Sequence, residues 1–382
     1  MSYFYLPKVY INLSKNMINK ENVKIILNNN NPNIASDIYL KSIDNLKNFY
    51  HNEWDENKKH VHNYNYVVNV KDKEHLYVTK HRALSKTFYI ILEINKLIDF
   101  ISDFSTYDKI TTFHMSKCQT GVIEALLFIR SNKKDKHVGI FSDEWRNEEA
   151  FLMENKNIQF DDYLSYNLFN TEYLSYCMNQ YQNNFDIITF INNNEKNKIT
   201  MYEKLDSIDI IILKICYAII MQKKNGHMIF KVPETNKYIY YELIYLLSSM
   251  YEKIIIVKPN ISKNLKPEKY IICKKFRNNY NNNILYTFAN NIISILKEKN
   301  ESTQLFHLLN VKIPVHFLNK IEECNTIITQ QLIDTNINII NLCINNNPEK
   351  IELIKRKNIN KSIYWCLQHN LEYNKYLENK DY

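Results

Sequence analysis

Glycine is almost missing from this chain, with three residues in 382, at Gly121, Gly139 and Gly226. Heavy use of Asn, Ile, Lys and Tyr alongside that scarcity reads as drift toward AT-rich codons, and it makes each surviving glycine more informative. Cysteine supplies no framework either. The seven residues are scattered, odd in number and form no CxxC pair, which argues for reduced thiols in a cytoplasmic, reducing compartment. The start, Met1-Ser-Tyr-Phe-Tyr5, lacks the basic-then-apolar pattern of a secretory leader. No apolar run reaches the roughly 18–20 residues of a membrane helix; the best stretch, Ile208 to Met221, is broken by Asp209 and Lys214. No membrane partner is expected.

What is present is a core-forming composition, 45% hydrophobic and 13% aromatic, which argues against wholesale disorder. The net charge of +8 suits a nucleic-acid partner, although lysine inflation from the same codon drift gives the same number. Residues 1–84 read as a polar, Asn/Lys-rich lead-in. From Ser85 the pattern changes. Apolar residues at helical spacing predict a helix over 85–104, and strands are expected at 110–115, 137–141, 185–191, 228–231, 254–257 and 269–273. Helices are expected at 121–130, 201–222 and 238–250. Strands separated by helices imply an α/β fold with a mostly parallel, doubly wound, Rossmann-like sheet. The last two strands have no room for a crossover helix between them, so they should form an antiparallel hairpin. Residues 281–382 read as a helical extension, with helices over 284–299, 319–345 and 361–377.

Two stretches carry chemistry. Gly226-His-Met-Ile-Phe-Lys231 ends an apolar strand on a lysine. Lys258-Pro-Asn-Ile-Ser-Lys-Asn-Leu-Lys-Pro-Glu-Lys-Tyr270 is a Lys-Pro loop leading to Glu268 at the mouth of the next strand. Taken alone, Lys231 is a solvated strand-end lysine. Together the two stretches resemble the closing half of the site in FtsJ-like ribose 2′-O-methyltransferases, and the wider likeness is to the mRNA cap methyltransferase-like proteins of asfarvirus and mimivirus type. Lys320-Ile-Glu-Glu-Cys-Asn325 is similar to the C-terminal extension of those viral members, which implies a viral factory or virion as a setting and a protein partner for the extension. The resemblance implies S-adenosylmethionine as cofactor and RNA, capped mRNA in particular, as partner. It implies Lys231 as the base for a ribose hydroxyl and Glu268 as the carboxylate that orients it. A free lysine, with a pKa near ~10.4, needs a second ammonium and partial burial to serve as a base.

The opening half of that site departs from the pattern. The family's first lysine matches Ile90; Lys86, one turn earlier on the same helical face, is a relocated candidate. The family's aspartate matches Ile191, and Asp186 lies five strand residues, about 16 Å, from the mouth. The Gly-rich cofactor turn reads Lys117-Cys-Gln-Thr-Gly121, so Thr120 and Gly121 are the cofactor-turn candidates. Asp143 is a candidate for a ribose diol, or equally a helix N-terminal carboxylate. Asp162 is a candidate for an adenine contact. Lys258 and Lys263 are either solvated loop lysines or RNA phosphate contacts. His60 and His62, spaced like alternate strand residues, read as a surface pair, with no metal expected. Two functions stand open: an RNA-binding protein of this family with weakened or lost catalysis, and an active cap ribose 2′-O-methyltransferase.

Overall fold

The computed structural model describes residues 2–11, 54–70, 76–116, 119–140, 151, 154–161, 168–191, 207–233, 237–262, 265–298, 309, 311–345 and 347–377. Asp143, Asp162, Lys263 and the asparagines 192–194 lie outside them.

Among the described residues, eight strands form one sheet. In chain order they are β1 (Ser2–Tyr5), β2 (Thr111–His114), β3 (Lys136–Ile140), β4 (Ile158–Asp161), β5 (Phe185–Phe190), β6 (Gln222–Val232), β7 (Tyr251–Lys258) and β8 (Lys269–Phe276). Their spatial order is β1-β7-β8-β6-β5-β2-β3-β4. The run from β6 to β4 is parallel. β8 enters between β6 and β7 and is antiparallel to both. The Rossmann-like expectation therefore holds, including the closing hairpin. Ile-rich β5 is buried along its whole length, as a strand covered on both faces requires.

Helices cover the two faces. On one lie α2 (Lys86–Ile98) and α3 (Thr120–Arg130), while α1 (Trp54–Val61) packs against the C-terminal helices. α2 starts where Ser85 Oγ accepts the Thr87 N–H and stops at Asp99, which adopts left-handed backbone at φ 48°. Its buried stripe, including Phe88, Ile91 and Ile94, joins Ile187, Ile229, Ile255 and Ile272 of the sheet in one core cluster. The other face carries α4 (Thr171–Gln180), α5 (Ser207–Met221), α6 (Tyr238–Met250) and α7 (Asn282–Lys297). α8 (Val315–Asn345) adds Phe317, Ile321, Cys324, Ile328 and Leu332 to that second core. α9 (Pro348–Gln368) returns to the first core through Ile359, Ile363 and Trp365. The extension thus belongs to the same packing as the sheet. Its last helix starts at Pro348, capped by Asn347, earlier than the expected 361.

Three expectations change. Ser2–Tyr5, read as part of a polar lead-in, is an edge strand paired antiparallel with β7. β4 and α4 occupy a stretch whose Asn- and Tyr-rich composition hides any period. His60 sits in helix α1, not in a strand, so the alternate-residue pairing with His62 does not exist. Among the described residues no helix is long and apolar enough to cross a membrane.

Candidate active site and its rim

The carboxyl ends of the parallel strands make one rim, and two of the sequence candidates, Lys231 and Glu268, meet there from neighbouring strands. Lys231, the penultimate residue of β6, pairs across the ladder with Tyr270 of β8. Glu268 lies just ahead of β8. Their side chains meet, with Lys231 Nζ 2.5 Å from Glu268 Oε2, and they are 27% and 14% exposed. Burial by itself would push the Glu268 carboxyl up. Lys231, then Lys258 and Lys86, outweigh it and hold the carboxyl below the usual range. Lys86, in the first turn of α2, is therefore close enough to act on the pair electrostatically. Three ammonium groups thus favour the ionised carboxylate, with Lys231 in direct contact.

Lys258, at the end of β7, is placed differently from the expectation of a phosphate contact. The residue is 5% exposed, and its Nζ donates to the carbonyls of Lys266 at 2.6 Å and Glu268 at 2.9 Å. Burial, reinforced by the charges of Lys269 and Lys231 against the opposing pull of Glu268, lowers its pKa to about 8. An ammonium turned inward onto backbone is not presented to a solvent-side phosphate. Lys269, the first residue of β8, is also buried, and its Nζ donates to Asn325 Oδ1 of α8. Asn325 in turn donates to the Tyr241 hydroxyl, which donates to Glu322. The Glu322–Asn325 segment is thus wired to the residue beside Glu268.

Among the described residues, the position that the resemblance gives to the family's aspartate carries no carboxylate. Ile191 follows β5, whose last residue pairs with Phe230, so it sits level with Lys231. It is 4% exposed and belongs to an apolar cluster. Ile90, which the resemblance sets against the family's first lysine, is buried in the same cluster. Asp186 is at the far end of β5, where it accepts the Thr111 N–H and pairs with Lys223 at 2.9 Å. It takes no part in the rim.

S-adenosylmethionine would lie over the carboxyl ends of β2 and β3, the usual ligand crevice of such sheets. The described residues there do not fit it. A Cβ on Gly121 would fall 2.0 Å from Ser85 Oγ and 3.1 Å from the Phe88 N atom, so the missing side chain makes room for α2 rather than for a ligand. Thr120 is buried in the first turn of α3. Gln119 is wholly buried; its amide donates to the Ile140 carbonyl, and its Oε1 has no hydrogen-bond partner among the described residues. Asp161, at the end of β4, accepts a hydrogen bond from the Tyr173 hydroxyl at 3.0 Å and is 5% exposed.

With this geometry in place, comparison with known families becomes informative. Residues 179–276 match the model of the FtsJ-like methyltransferase family. This segment is similar to the FtsJ-like methyltransferases. It runs from the end of α4 through β8 and contains Lys231, Lys258 and Glu268. No curated protein matches the chain. Among solved structures, one similar to it is a Plasmodium falciparum protein described as a ribosomal RNA methyltransferase, at 16% identity over 50% of this chain and 97% of that one, with a TM-score of 0.35. Human methyltransferase-like protein 13 in complex with SAH is 10% identical over 56% and 91%, with a TM-score of 0.32. The Methanococcus jannaschii fibrillarin pre-rRNA processing protein is 11% identical over 44% and 68%, at 0.29. The FtsJ-like segment coincides with the half of the rim where the expected residues meet. The cofactor-turn candidates, Thr120 and Gly121, lie outside it.

Two residues at this rim escaped the sequence reading, Glu93 of α2 and Lys258 in its buried role. Glu93 is 2% exposed, and its carboxylate oxygens accept the backbone N–H groups of Asn260 and Ile261 at 3.1 and 3.0 Å. No spacing rule marks a charged residue for burial. The signal available was position, because Glu93 falls on the apolar stripe of its own helix.

Proposed function

We propose that this protein is an RNA-binding member of the FtsJ-like group, directed at capped mRNA, in which methyl transfer is weakened or lost. One observation carries the reading: Lys231, Lys258 and Lys86 act together on Glu268, leaving the rim with surplus positive charge. Such a rim attracts phosphate whether or not chemistry follows. The weakening rests on Ile191 where a carboxylate would be needed and on a Gly121 turned toward α2. The domain from about 85 to 280 carries the rim, and the extension beyond it supports the site through Asn325 and offers a surface for a protein partner.

A second reading has its own support. The Lys231–Glu268 pair is formed, and Lys86 is near enough to act on it, so an active transferase with Lys231 as base and Lys86 as its improvised partner keeps part of its machinery. Calorimetric titration with S-adenosylmethionine separates the two. The first reading expects no heat of binding at micromolar concentrations, together with RNA binding measured by anisotropy. Saturable micromolar heat, together with methyl transfer to capped RNA that Lys231→Met abolishes, would replace it by the second. Absence of RNA binding at low salt would overturn both.

A further inference from the structure

Two buried charges of opposite sign act on a single loop. Glu93 accepts the N–H groups of Asn260 and Ile261 where the loop leaves β7. Lys258 donates to the carbonyls of Lys266 and Glu268 where it returns to β8. Between these anchors Ser262 Oγ closes a turn onto the Pro259 carbonyl at 2.6 Å, and Ile261 is wholly buried. We propose that Glu93 and Lys258 are positioning residues, which clamp the two ends of the 259–268 loop and so hold Glu268 against Lys231. That the clamped pair is the functional centre rests on the proposed function; the clamp itself does not.

Burying charge is costly, and neither group is spent on ordinary helix or sheet bonds. Both oxygens of Glu93 accept, which suits the ionised carboxylate, an acceptor-only group. Burial raises its pKa, and the N–H groups of Ile261 and Asn260 offset only part of that rise. Glu93 sits two helical turns along α2 from Lys86, so the same helix presents a cation to the pair and anchors the loop that presents its carboxylate. Such an arrangement fixes distance as well as charge. A loose loop with the same residues would not keep an ion pair at a partly exposed rim, where salt bridges contribute little unless their geometry is held.

The test uses the full chain in four forms: wild type, Lys258→Met, Glu93→Gln and, as an exposed control, Lys80→Met. Amide hydrogen exchange reads the loop, and carboxyl-carbon NMR reads the titration of Glu268. Lys258 bonds the carbonyls of Lys266 and Glu268, and Glu93 bonds the amides of Asn260 and Ile261. The clamp therefore predicts crossed effects. Lys258→Met should speed exchange at Asn260 and Ile261 at least tenfold relative to α6 amides in the same molecule. Glu93→Gln should raise the Glu268 midpoint, whereas direct electrostatics gives no change or the opposite sign, since it removes a neighbouring negative charge. The control should alter neither. Effects confined to each variant's own contacts, with the crossed readouts unmoved, would overturn the clamp. Should Lys258→Met fail to fold, the Glu93→Gln titration decides alone. RNA silence in the wild type would sink the functional reading and leave these measurements to judge the clamp.

Discussion

Glu268 is the residue whose environment decides most, and its protonation has a thermodynamic signature. Its folded pKa is depressed, because Lys231, Lys258 and Lys86 outweigh burial. The stabilisation is therefore present above the unfolded value, near ~4.3, and is lost as pH falls through the lower folded value. Denaturant unfolding of the wild type and Glu268→Gln should differ by about 1–3 kcal/mol at neutral pH, as expected for a charge-assisted hydrogen bond. The gap should close as acid protonates the carboxyl; a gap independent of pH would show that Glu268 acts through packing. The histidines share that sign of linkage for a different reason, because burial favours their neutral form. His137 and His114 share the Thr112 hydroxyl at 2.8 and 2.7 Å inside the sheet, and His114 also reaches Thr189 at 2.8 Å. Burial lowers His137 to about 4 and His114 well below its usual value. The unfolded chain takes up these protons near ~6.5, so stability is full above that pH and falls as pH drops from there toward 4. The loss is about 1.4 kcal/mol per pH unit for each proton. In unfolding curves stepped from pH 7 to 4.5, His137→Gln should flatten the slope by about one proton.

At the scale of elements, the informative contact is between α2 and α3. Gly121 lets the first turn of α3 lie against Ser85, the cap of α2, and any side chain there meets the Ser85 hydroxyl and the Phe88 backbone N atom. Gly121→Ala should cost about 1–3 kcal/mol through overpacking and a disturbed cap. Thermal unfolding checks it, and an unchanged midpoint would return the glycine to its expected role in a ligand turn. Much of the element plan was legible. Tyr238–Met250 matches its expected bounds, since its apolar run is bounded by polar residues before it and by a strand directly after it. The β7–β8 hairpin followed from a connection too short for a crossover. β1 was not legible, because four residues near the start find their partner at 255–258 and nothing local announces such a pairing. The site divided in the same way. Lys231 and Glu268 could be read because each ends or precedes a strand in recognisable text. The inward turn of Lys258 and the burial of Glu93 depend on partners from other elements, and charged residues are ordinarily expected outside.

At the scale of the whole molecule, net charge and local charge make different predictions. A formal +8 spread over the surface would bind polyanions weakly everywhere, and removing any exposed lysine would have a similar effect. A focused rim behaves otherwise. If RNA lies across it, Lys231→Met and Lys86→Met should each lower the slope of log K against log salt by about 0.7, one phosphate contact on a single strand. Lys134, 65% exposed beside Asp108 in the turn between α3 and β3, supplies the comparison; Lys134→Met should leave the slope unchanged. Lys258→Met should also leave it unchanged, since a buried ammonium bonded to carbonyls releases no counterion from RNA. Anisotropy titrations of a short capped RNA at several salt concentrations measure all four variants against the wild type. Equal losses for Lys134, Lys86 and Lys231 would mean that the charge of this protein acts as a diffuse field, with the rim no more than its most crowded part.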